Sequence, residues 1–151
     1  MRKFRWIDLA LLPFGLCVLF LILLGKLFGL TYKQISVVFN LWLQGAVLML
    51  TGLAPAAAAI CRFTDAGSSV WLLIATPLLV YAGLHCYGFA RMMRHYHLPF
   101  DDAFDLCVDD LQSLAAKWHT TYQMVNLIIF VLFFLIIIGM NIFTTYYIIN
   151  Y

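Results

Sequence analysis

The chain has 151 residues, 65% of them hydrophobic and only 11% charged, and its mean hydropathy is +0.96. Soluble domains carry about a quarter charged residues, and so short a chain cannot hide this much apolar surface from water. Its natural solvent is lipid. A formal net charge of +2 without basic runs excludes nucleic-acid binding as a main role.

A helical span needs about 20 consecutive, mostly apolar residues. Four stretches meet that length, at about 7–30, 35–61, 69–90 and 125–149. The sequence therefore predicts an all-α polytopic protein, a four-transmembrane-helix bundle formed as a single membrane domain over 1–151. The lipid bilayer is its first partner, and a bacterial inner membrane is the expected location. Met1-Arg-Lys-Phe-Arg5 precedes an apolar run as in a signal peptide, but no small-residue cleavage site follows Leu30. The expectation is a retained first span.

Thr31-Tyr32-Lys33-Gln34 joins spans 1 and 2 as a tight hairpin, and Thr31 with Gln34 has capping-box spacing. Span 2 is the least lipid-like, with Asn40, Gln44 and Thr51 polar and Pro55 removing a backbone donor, so a failed crossing is expected there first. Gly45, Gly52, Ala56 and Ala59 recur at helical spacing, a stripe that lets another helix come close. Packing within the chain is the plain reading, and a dedicated oligomer contact the sharper one.

Span 3 contains Pro77, Tyr81 and His85, runs into Arg91, Arg94, His95 and His97, and is stopped by Pro99. From Asp101 to Trp118 the pattern changes. Phe104, Cys107, Val108, Leu111, Leu114, Ala115 and Trp118 recur every three or four residues, while Asp101, Asp105 and Asp109 line another face. This is an additional acidic amphipathic helix, at about 101–118, between spans 3 and 4. Surface helices that bind anionic lipid carry Lys and Arg, so this face suits partner docking through Asp101, Asp105 and Asp109. Thr120 and Gln123 repeat the capping-box spacing before span 4, which predicts a break near His119.

Thr31-Tyr32-Lys33-Gln34-Ile35-Ser36 aligns without a gap on Thr121-Tyr122-Gln123-Met124-Val125-Asn126. Duplicated parallel hairpins would produce such a match. Tyr is also favoured at membrane interfaces, which produces chance likeness.

Basic residues nearly balance across the two sides, with Arg2, Lys3, Arg5 and Arg62 on one and Lys33, Arg91, Arg94 and Lys117 on the other. The early charges set the expectation of a cytoplasmic amino terminus. Cys17, Cys61, Cys86 and Cys107 form no CxxC pair, which disfavours disulfide exchange chemistry. His95 and His97 with Asp101 match no metal spacing and suit a basic cap at the headgroups. A bis-histidine haem would need a partner for His85 at matching depth, and spans 1, 2 and 4 contain no His.

Neither a cofactor, a metal nor a catalytic residue is expected. Asn40, Gln44, His85 and Asn126 are the candidates for a pore or polar interior, since polar groups in hydrocarbon turn inward. The functional expectation is a non-enzymatic protein that self-associates as a homo-oligomer or joins a membrane-complex partner, with an oligomeric pore or channel as its sharper form. The alternative is a subunit or enzyme of membrane redox or lipid chemistry, using His85 or the His95, His97 and Asp101 group.

Overall fold

The computed structural model describes residues 6–150, with side chains from Leu11 onward. The amino-terminal basic residues Arg2, Lys3 and Arg5 lie outside the described residues. Within these limits the protein is all-helical. Helix α1 is Trp6–Phe28, α2 is Tyr32–Ala66, α3 is Ser69–His95, α4 is Phe100–Lys117 and α5 is Tyr122–Asn150. Four of them, α1, α2, α3 and α5, are long and apolar enough to cross a membrane. Pro55 does not interrupt α2: it is fully buried inside a continuous helix. The irregular stretch lies upstream, where Val37–Leu43 is π-helical, and α5 has its own at Ile128–Phe133.

The described residues form two compact units, one of 6–42 and 96–133, the other of 43–95 and 134–150. The first contains two copies of one helix–turn–helix motif, 90 positions apart. After α1, Gly29 has φ +68°, and the Leu30 amide donates to the Gly25 carbonyl at 2.8 Å. After α4, His119 has φ +51°, and the Thr120 amide donates to the Ala115 carbonyl at 3.0 Å. Each left-handed residue ends a helix in a Schellman-like turn. Two residues later a threonine caps the next helix. The Thr31 hydroxyl accepts from the Gln34 amide at 3.3 Å, and the Gln34 side chain accepts from the Thr31 amide at 3.0 Å, completing the expected capping box. In the second copy the cap is Thr121, which accepts from the Met124 amide at 3.4 Å. The Thr120–Gln123 capping box is thereby corrected, because Thr120 still belongs to the turn.

The same offset carries through the packing. Phe14 of α1 meets Tyr122 edge-on at 5.9 Å and 81°, and its equivalent Phe104 of α4 meets Tyr32 at 5.7 Å and 72°. Leu21 and Leu111, Gly25 and Ala115, and Ile35 and Val125 are equivalent pairs, all buried. An added Cβ on Gly25 would lie 2.9 Å from the Leu30 carbonyl oxygen and 3.2 Å from Ile35, so only a small residue fits this turn. Each motif thus lays its first helix against the start of the other motif's second helix.

The second unit packs the later parts of α2 and α5 together with α3. The Asn141 side chain donates to Thr51 at 3.2 Å, again 90 positions apart, and Arg62 donates to the Ile148 carbonyl at 3.1 Å, so α2 and α5 run parallel here. Helix α3 has no counterpart among the described residues.

The left-handed turns give a test. A left-handed conformation costs a non-glycine residue about 1–2 kcal/mol, so His119→Gly is expected to raise the thermal midpoint and Gly29→Ala to lower it by a comparable amount. Equal responses in the same direction would contradict equivalent turns.

Candidate functional site

The structure distributes the polar residues singled out in the sequence over two places. In the first unit, Ser36 and Asn40 from α2, Tyr122 and Asn126 from α5, and Cys107 from α4 line one cavity with Tyr32 and Phe104. Ser36 and Asn126 are equivalents in the duplicated motif, as are Tyr32 and Tyr122. The π-helical stretches contribute Val37, Asn40 and Leu41 on one side and Phe130 on the other. π-Helical turns recur at functional sites, where they re-aim side chains.

Gln44 and His85 belong to the second unit. Gln44 is buried on α2, while His85 on α3 stacks edge-on against Tyr81 at 4.5 Å and borders an apolar crevice of about 220 Å³ with Leu48, Leu84, Phe89 and Ile137. Its ring covers Gly52: an added Cβ there would lie 2.6 Å from the imidazole. Phe89 and Met92 cover Gly45 in the same way, the nearest atom at 2.5 Å. Ala56 and Ala59 are buried, and Ala59 clusters with Ala75 and Ile148. The small-residue stripe therefore receives α3 and α5 of its own chain.

Asn141 was not among the sequence candidates, yet it is the polar centre of this unit. It is 2% exposed, accepts from the Tyr81 hydroxyl at 2.8 Å and donates to Thr51. Thr51 in turn donates to the Val47 carbonyl at 2.8 Å. Its place 90 positions after Thr51, another polar residue in an apolar helix, was the available signal.

On α4 the acidic face is exposed. Asp105 pairs with Lys33 at 2.7 Å, holding α4 to the start of α2, and Lys33 also lies over the Phe104 ring. Asp110 accepts from the Tyr96 hydroxyl at 2.8 Å. Burial first, then this bond to a carboxylate, raises the Tyr96 phenol well above its usual range. Cys107 faces inward from the same helix. Its thiol is pushed up to about 11, first by burial and then by the Asp110 carboxylate, against a lowering hydrogen bond from Tyr96. A buried neutral thiol is a packing residue rather than a nucleophile.

His95 and His97 are exposed at the end of α3 and just beyond it. Among the described residues no group of three His, Cys, Asp or Glu side chains is placed to hold a metal.

Two measurements check this arrangement. Gly52→Val forces a side chain into the His85 ring and is expected to cost about 1–3 kcal/mol, whereas Gly83→Ala, with open space around it, should be neutral or slightly stabilising. Alkylation of Cys107 by iodoacetamide at pH 8 should run roughly a hundredfold slower than that of an unperturbed cysteine peptide and climb until about pH 11. Asp110→Asn should move that curve to lower pH.

Comparison of the chain with known protein families, with characterised proteins and with solved structures finds no match, so the functional reading rests on its own residues.

Proposed function

We propose that this is a non-enzymatic integral membrane protein, of a bacterial inner membrane, that works by association, with the outer face of α4 docking a partner. One observation carries the reading. α1 and α4 are equivalent helices that keep the same inward residues, among them Phe14 and Phe104, Cys17 and Cys107, Val18 and Val108, and Leu21 and Leu111. Their outward residues differ in kind. Leu11, Leu12, Gly15, Leu19 and Phe20 of α1 are matched by Asp101, Asp102, Asp105, Asp109 and Asp110 of α4, every one of them exposed.

An apolar outer face suits lipid, and five carboxylates do not, since a charged side chain in hydrocarbon is costly. The face of α4 suits water or a basic surface. The chain supplies such a surface itself, in the exposed Arg91 and Arg94 at the end of α3. A second copy is therefore the partner we favour, through a heterologous contact of acidic face on basic helix end, which closes into a ring or extends as a chain of copies.

Particle mass in lipid nanodiscs tests this. Asp101, Asp102 and Asp109 can be changed to Asn without disturbing Asp105 or Asp110, which hold Lys33 and Tyr96. The triple variant should weaken self-association by roughly tenfold or more, as for loss of close interfacial charge pairs, and salt should weaken the wild type likewise. Arg91→Glu with Arg94→Glu should do the same, and reversing the three aspartates to Lys should restore it. A wild type of one chain per particle at low salt would refute self-association.

A further inference from the structure

Among the described residues of the first unit, the Ser36 hydroxyl is buried with no group of the protein answering it. Ser36 is 5% exposed, and its Oγ is buried without a hydrogen-bond partner among the described residues. A buried hydroxyl is nearly always satisfied by a hydrogen bond. It opens into the cavity bordered by Asn40, Asn126, Tyr32 and Tyr122, whose open core is about 20 Å³. That is the room taken by one water molecule, and a water needs two to four polar partners, which these side chains supply.

The lining has no Lys, Arg, His, Asp or Glu, and the Cys107 thiol that borders it is held neutral. Such a lining suits a neutral ligand. A desolvated ion would meet only side-chain dipoles there. The walls come from α2, α4 and α5, so a bound molecule would touch both copies of the duplicated motif at the point where each second helix passes into its π-helical stretch.

We propose that this cavity is a specific binding site for a single water-sized, neutral hydrogen-bonding ligand, water itself, held by Ser36 and completed by the Asn40 and Asn126 side chains. The ligand joins the two motifs and satisfies a hydroxyl that would otherwise oppose their packing.

The full chain in nanodiscs supplies the test. If the cavity is dry, Ser36→Ala removes an unsatisfied hydroxyl and the thermal midpoint rises. If water is bound, Ser36→Ala removes one of its anchors, and the midpoint should fall by about 2–4 °C. Asn126→Leu should lower it as well, and the double variant should lose less than the two single losses combined, because both residues hold one molecule. A high-resolution structure in lipid should show one solvent-sized density within hydrogen-bond distance of Ser36 Oγ. A rise in the midpoint with Ser36→Ala, or an unfilled cavity in that map, overturns the proposal. So does a midpoint that differs between potassium, ammonium and choline chlorides at equal ionic strength, which would assign the site to a cation.

Discussion

The first unit depends on a turn made twice: a helix ends on a left-handed residue, and two positions later a threonine hydroxyl caps the next helix. A helix start leaves amides without partners inside the helix, and each threonine answers one of them. This geometry brings Gly25 close to Ile35 and aims Phe14 and Phe104 at tyrosines of the opposite motif. The shared inward faces of α1 and α4 pack against the starts of the opposite second helices.

What the sequence made legible was the part governed by strong local rules. The four apolar helices follow from length and hydropathy, and the Thr31–Gln34 capping box from spacing. The likeness of the two motifs showed only in the short stretch from Thr31 and Thr121, because the shared residues lie on inward positions that alternate with differing ones. Leu19 opposite Asp109, or Phe20 opposite Asp110, conceals the match between Leu21 and Leu111. The cap at Thr121 instead of Thr120 was a choice between adjacent threonines that spacing to one glutamine decided wrongly. The register of the repeat would have decided it correctly.

The candidate site was legible in composition and not in arrangement. Hydropathy marks Asn40, Gln44, His85 and Asn126 as out of place in lipid, but periodicity cannot tell which polar residues share a cavity. Asn141 stands out as a polar position of the fourth apolar stretch but was not placed among the candidates for a polar interior, although it bonds both Tyr81 and Thr51. Divergence also explains the asymmetry of the second unit. Gly45 and Gly52, which α3 covers, are matched on α5 by Leu135 and Ile142, both more than half exposed. Small residues stand where a helix lies close, and large branched ones stand where none does.

Helix α3 has no counterpart among the described residues, and it stands directly before α4 in the chain. Thr31 and Thr121 cap helices whose later parts run in the same direction. In the membrane reading proposed above, α1, α2 and α3 would supply three crossings before α4 begins. Helix α4 would then start and finish on one side, whereas α1 would travel between the two. That reading gives two equivalent helices different solvents, lipid for the outer face of α1 and water or a basic partner for the acidic outer face of α4.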